Sequence, residues 1–184
     1  MATKDCTVDV DLKFFELLYP LRYPNKSKEH YSQCRKMVLC GEMQIETLYE
    51  NTIVNLNPGI EKDSTDGRDF SDGSDAKKVT SSFRNNRLNY GEWTNSFQVR
   101  NVGNKLGGLR VLAYNVYLED FEYYVIPPHA YSHLSSKTVE IPIERYRGYY
   151  DCKPNAQGQH QGYSKWYNYQ VEDIYELANA VIRI

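Results

Sequence analysis

The chain has 184 residues, 41% of them hydrophobic, with 22 basic and 24 acidic side chains and a net charge of −2; it can bury one domain's core and is too near neutrality to coat nucleic acid by bulk charge. Its mean hydropathy of −0.67, with no apolar run near the roughly eighteen residues that span a bilayer, excludes a transmembrane helix. The opening MATKDCTVDVDLKFF carries acids where a secretory leader needs a basic end and an apolar stretch, so the expectation is a cytoplasmic protein with no membrane partner.

In chain order, the spacing of Val10, Phe14, Phe15, Leu17 and Leu18 predicts a first short helix stopped by Pro20. From Lys26 to about Leu56 the pattern is again helical, as two helices meeting near Gly41. In the second, Ile45, Leu48, Tyr49, Thr52 and Leu56 form a core-facing stripe, while Glu42, Glu46 and Glu50 recur every four residues on another face. After the stop signal Asn57-Pro58-Gly59 the chain turns polar, with five aspartates, Asp63, Asp66, Asp69, Asp72 and Asp75, and no aliphatic residue between the first and last. Asp72-Gly73 reads as a hairpin turn between two short strands.

Ser81 to Thr94 reads as a polar loop rich in Arg and Asn, followed by Phe97 to Arg100 and a glycine-rich connection. Leu109 to Leu118 and Phe121 to Ile126, split by Glu119-Asp120, predict a β-hairpin of branched and aromatic residues that Pro127-Pro128 ends. Arg145 to Gln170 holds many of the chain's 17 tyrosines and almost no aliphatic residue; little core is expected from it. A final helix over Val171 to Ile182, with Ile174, Leu177, Ala178 and Val181 on one face, would cap the sheet. The fold class expected is one α/β domain over 1–184 with a mixed central β-sheet flanked by helices, carrying a polar tyrosine-rich segment at about 145–170.

The four cysteines form no CxxC pair and read as free thiols; His30, Cys34 and Cys40 are too widely spaced to favour a zinc site. His129 and His133 lie in PHAYSH without a HExxH or HNH context, and Gly103, Gly107 and Gly108 fit neither phosphate-binding glycine pattern. The aspartate run lacks the glutamate and flanking helices of an EF-hand.

What the run does contain is Asp75-Ala76-Lys77, which places an acid and a lysine two apart on a strand and so on one face. Paired carboxylates hold Mg²⁺, which lowers the pKa of a bound water and neutralises charge developing at a phosphorus centre. A neighbouring lysine orients that water and offsets phosphate charge. A two-residue turn at Asp72-Gly73 would bring Asp66 to this face; a longer loop or a bulge after Gly73 would bring Asp69, which is nearer along the strand and favoured.

Asp69 followed by Asp75-Ala76-Lys77 resembles the PD-(D/E)xK motif of the restriction-endonuclease-like nucleases, with Arg68 where that motif carries proline. The helix bearing Glu46 and Glu50 resembles the one that adds a further acid to the metal site in many of these enzymes, and LRVLAYNVYL and FEYYVIPP resemble the later strands of their sheet. The resemblance spans roughly residues 40 to 130. It implies a restriction-endonuclease-like fold and a Mg²⁺-dependent DNA endonuclease, most like a type II restriction enzyme, that cuts double-stranded DNA as a homodimer with one site per subunit. Asp69, Asp75 and Lys77 would be catalytic, and Asp69, Asp75, Asp66 and Glu50 would supply the metal ligands. Other expectations are a repair, structure-selective or homing-type nuclease of the same superfamily, or a non-enzymatic binding module. Arg84, Asn86 and Arg87, which follow the D-x-K strand, with Arg100 and Lys105 and the neighbouring Arg110, are the expected DNA contacts. Arg145, Arg147, Lys153 and Lys165, interleaved with tyrosines and Trp166, suit either nucleic acid or a subunit interface.

Overall fold

The computed structural model describes residues 3–84, 94–116, 118–143 and 163–183. Three helices come first: α1 (Thr3–Arg22), α2 (Lys28–Leu39) and α3 (Ile45–Leu56). Pro20 does not stop α1, which runs on to Arg22. In the last turn a proline removes only one amide bond, and the Tyr23 amide still donates to the Tyr19 carbonyl at 2.8 Å. The Ser27 side chain caps α2 by accepting from the His30 amide. The break between α2 and α3 falls where expected, with Gly41 in the left-handed region at φ +74°. Glu42 lies in that connection, so only Glu46 and Glu50 of the expected row are carried by α3. The α3 stripe of Ile45, Leu48, Tyr49 and Thr52 is buried and is completed by Ile53, while Leu56 is only partly buried.

Seven strands follow: β1 (Asp75–Thr80), β2 (Ser82–Arg84), β3 (Thr94–Val99), β4 (Leu109–Asn115), β5 (Asp120–Ile126), β6 (Val139–Pro142) and β7 (Gln170–Val171). They form a mixed sheet in the order β1-β4-β5-β7 and an antiparallel sheet in the order β2-β3-β6. β1 runs parallel to β4, with Asp75 beside Leu109, and β4 pairs antiparallel with β5 through the expected hairpin. The polar stretch read as a loop from Ser81 thus contributes β2 and the start of β3.

β4 is buried along its whole length because both of its faces are covered. Leu112 and Tyr114 pack with Phe14, Phe15, Leu18, Leu48 and Ile53 of the helices. Leu109, Val111 and Ala113 pack with Phe97, Val99, Val139 and Ile141 of the second sheet. The architecture is therefore a mixed central sheet flanked by helices on one face and by a small antiparallel sheet on the other, in place of the single sheet layer the sequence suggested.

A 3₁₀ segment, Tyr163–Tyr169, leads into β7 and then α4 (Ile174–Asn179). Trp166, at the end of the tyrosine-rich segment, is buried in the core beside the partly buried Tyr167 and Tyr169, so this part supplies core where little was expected. Lys165 lies over the Trp166 ring at 4.7 Å, which ties it to packing. The last helix is shorter than predicted: Ile174, Leu177 and Ala178 are buried, but Val181 lies beyond it and is 86% exposed. The remaining cations of this segment, Arg145, Arg147 and Lys153, lie outside the described residues.

Candidate active site

The aspartate run folds into two nested turns in place of one simple hairpin. Upstream, the Asp63 amide donates to the Asp69 carbonyl at 2.8 Å and Phe70 bridges Lys62, so the chain doubles back with Asp66 exposed at the tip. Phe70, with no exposed surface, anchors this loop in the helical core. Downstream, the Gly73 amide donates to the Phe70 carbonyl, and the amides of Asp69 and Phe70 both reach the Ser74 carbonyl. Gly73 has φ +89°, a conformation glycine adopts without penalty, and it closes this turn. Asp69 Oδ2 accepts the Ala76 amide at 2.8 Å, which puts the Asp69 carboxylate against the start of β1.

The five aspartates, spaced by three, take separate roles. Asp63 accepts from the Thr65 amide and pairs with Arg68 at 2.9 Å. Asp72 accepts from Ser74 and receives the Arg110 guanidinium at 2.6 Å. Asp69 and Asp75 come together. Asp75 is 1% exposed at the head of β1. Its Oδ2 lies 3.3 Å from Lys77 Nζ, and its Oδ1 lies 2.7 Å from Lys105 Nζ. Oδ1 is fully buried, with the Lys105 ammonium against it.

Lys105 arrives from the glycine-rich connection between β3 and β4, which lies tightly against the aspartate loop. A Cβ on Gly107 would stand 1.9 Å from the Gly73 carbonyl oxygen, so only glycine permits this approach. The Tyr131 hydroxyl donates to the Lys105 carbonyl and accepts the Gly108 amide, and burial pushes its own pKa up to about 12.

Burial, together with the charges of Asp75 and Glu50, pushes the Asp69 carboxyl up from 3.8 to about 6, against the lowering effect of the Ala76 amide. A carboxyl raised in the folded state costs stability as it ionises. The stability tied to Asp69 is therefore present near pH 4 and is lost as pH rises through about 6. In EDTA, Asp69→Asn is expected to be more stable than the parent by about 2 kcal/mol near neutral pH, less than the full shift because the side chain is part-solvated, and about equal to it near pH 4. Urea unfolding at the two pH values measures this; a difference that does not change with pH would contradict the crowded carboxylate.

Of the expected metal ligands, the fold brings Asp69 and Asp75 together and puts Glu50 near Asp69, but Glu50 pairs with Lys62 at 3.1 Å and Asp66 points to solvent. Among the described residues no three His, Cys, Asp or Glu side chains group as a metal site by themselves. Glu46 pairs with Lys78 at 3.3 Å, on the opposite face of β1 from Asp75 and Lys77.

The expected DNA contacts divide. Arg84 ends β2, while Asn86 and Arg87 lie outside the described residues. Arg100 is exposed and reaches Gln98 at 3.0 Å. Lys105 belongs to the acidic site. Arg110, expected beside it as a DNA contact, is 1% exposed, because the alternation of a doubly covered strand sends it into the helical face. His129 and His133 are exposed, and Cys34 and Cys40 are free thiols.

The sequence reading missed Lys105 as a partner of Asp75 and Tyr131 as the clamp on its backbone. The one local signal was the cluster of three glycines around Lys105, which marks a close backbone approach. No protein-family model, curated protein or solved structure matches the chain.

Proposed function

We propose that the protein is a Mg²⁺-dependent nuclease that hydrolyses phosphodiester bonds of DNA, with Asp69, Asp75 and Lys77 as its catalytic group. The observation that carries this reading is the meeting of the Asp69 and Asp75 carboxylates at the head of β1 with Lys77 Nζ 3.3 Å from Asp75. The donor set suits Mg²⁺. Burial, with the neighbouring Asp75 charge, raises the Asp69 pKa, and the Asp75 oxygens are buried with lysine ammoniums against them, so a divalent ion would relieve the crowded pair. Mg²⁺ is commonly held by one or two carboxylates, with water and substrate phosphate filling the other positions.

When bound, the ion would acidify a water and neutralise charge on the phosphate. The chain's own residues do the rest. Asp69, whose carboxylate accepts the Ala76 amide, and Asp75, at the head of β1, would hold the ion. Lys77 shares the face of Asp75 and offsets the extra negative charge as the water oxygen bonds to phosphorus and the P–O bond to the leaving sugar oxygen breaks. Protonation of that oxygen yields a phosphomonoester and a free hydroxyl.

The finer reading is a restriction-endonuclease-like core acting in the cytoplasm on double-stranded DNA, as a homodimer because two strand cuts need two such sites. Discrete fragments from plasmid or phage DNA would support sequence-specific cutting, and a smear would point to the repair-type alternative. Asp69→Asn is expected to lower the rate by on the order of a hundredfold or more, and Asp66→Asn to change it by less than about threefold, because catalysis tolerates little displacement of its ligands. The reverse ranking would move the upstream ligand to Asp66 and overturn the assignment of Asp69.

A further inference from the structure

We propose that Lys105 is the resident counter-cation of this site: its ammonium holds the place on Asp75 that a divalent ion takes, and it turns to the substrate phosphate once the ion is bound. The inference rests on the nuclease reading above.

A carboxylate as deeply buried as Asp75 needs compensating charge in the metal-free protein. Lys77 supplies it on Oδ2 and Lys105 on Oδ1, the closer of the two at 2.7 Å. With Asp69 and Asp75 ionised and both lysines charged, the four groups sum to zero before any ion arrives. The Lys105 contact is also the one suited to exchange. Oδ1 is held by an ammonium on a flexible stem, and a divalent ion brings the larger charge to the same hard oxygen.

The backbone of Lys105 is held while its side chain keeps a flexible four-carbon stem. Its amide donates to the Val102 carbonyl at 3.1 Å, its carbonyl takes the Tyr131 hydroxyl, and Gly107 is seated on Gly73. A side chain displaced from Oδ1 would therefore pivot about a fixed Cα and stay beside the same carboxylate pair, where the phosphate of a metal-bound substrate must lie. With only 17% of its side chain exposed, Lys105 is no free surface cation that would meet DNA before the site is loaded.

The test is amine labelling of the parent protein with an acetylating reagent, read by mass spectrometry, with Ca²⁺ as the probe ion. Lys105 labelling is expected to rise severalfold on adding Ca²⁺, while the exposed Lys26 is unchanged. Calorimetric titration gives a second readout: Lys105→Met removes the competitor, so it should bind Ca²⁺ on the order of tenfold more tightly, since an occupied site lowers apparent affinity by the fraction that is competent. If the Met variant does not fold, Lys105→Gln replaces it, and the labelling of the parent stands on its own. Ca²⁺ binding with no rise in Lys105 labelling would overturn the counter-cation role and leave the nuclease reading intact. No Ca²⁺ binding by the parent or the variant would overturn the metal site itself, and this inference with it.

Discussion

Asp75→Asn is expected to lower Mg²⁺-dependent DNA hydrolysis by at least about a hundredfold while leaving the fold in place. Asparagine keeps the shape of the side chain and its place beside Leu109, but removes the charge on which Lys77 and Lys105 converge. The same change has an opposite consequence for binding. In the metal-free parent, Lys77 and Lys105 are both held on Asp75 and Glu50 is held by Lys62, so no cation is free to meet a phosphate at the site until a divalent ion supplies one. In EDTA, Asp75→Asn should therefore bind DNA more tightly than the parent, with two lysines released from their carboxylate, and adding Ca²⁺ should help the parent far more than the variant. A filter-binding titration with and without EDTA, run beside the rate assay, measures both. Normal cleavage by Asp75→Asn would remove the catalytic assignment; metal-independent parent affinity, unchanged in the variant, would mean that the turn carrying Asp75 does not face the DNA backbone.

Arg110→Ala is expected to destabilise the protein by about 3–5 kcal/mol, the usual consequence of removing one partner from a buried charge network. Arg110 is a keystone of the helical face. Its guanidinium donates to Asp72 at 2.6 Å, to Ser74 at 3.1 Å and to the Leu177 and Ala180 carbonyls at 2.6 and 2.9 Å. Asp72, whose hydrogen bonds with Ser74 and Arg110 hold its carboxyl below the usual carboxylate range despite its burial, would lose its charge partner. The C-terminal turn around α4 would lose its donor to two carbonyls. Because Asp72 and Ser74 belong to the loop that sets the register of Asp69, the loss should also appear as a slower cleavage rate at temperatures where the variant is still folded. Urea unfolding measures the first effect. A change below about 1 kcal/mol would show that the network contributes little to stability.

The parts of this molecule that were legible in its sequence are those fixed by local chemistry. The β4–β5 hairpin was readable because branched and aromatic residues fill both arms, and the α2–α3 break because Gly41 takes a left-handed conformation. Asp75 and Lys77 share a face wherever their segment is a strand, so that pair was readable as well. The choice between Asp69 and Asp66 depended on how the turn around Gly73 closes, which sequence parity does not determine.

What was hidden is long-range. The second sheet is built from strands of three, six and four residues, one of them in a stretch of serine, arginine and asparagine, and β3 and β6 pair across forty or more residues of chain. Arg110 looked like a surface cation beside Arg100 and Lys105, because nothing nearby in sequence announces that β4 is covered on both faces. Lys105 meets Asp75 across thirty residues of chain, and Tyr131 reaches the Lys105 carbonyl across 26. Trp166 sits in a segment so polar that a core role was not expected of it, yet one indole anchors it.

The most direct test of the central claim, that Asp69, Asp75 and Lys77 form a metal-dependent phosphodiester-cleaving group, is incubation of supercoiled plasmid with the purified protein and Mg²⁺, beside EDTA and the Lys77→Ala variant. The account predicts conversion to nicked and linear DNA by the parent with Mg²⁺, none in EDTA, and loss of cleavage in Lys77→Ala with DNA binding retained. Cleavage by the parent that persists in EDTA, or that Lys77→Ala performs at the parent's rate, would contradict it.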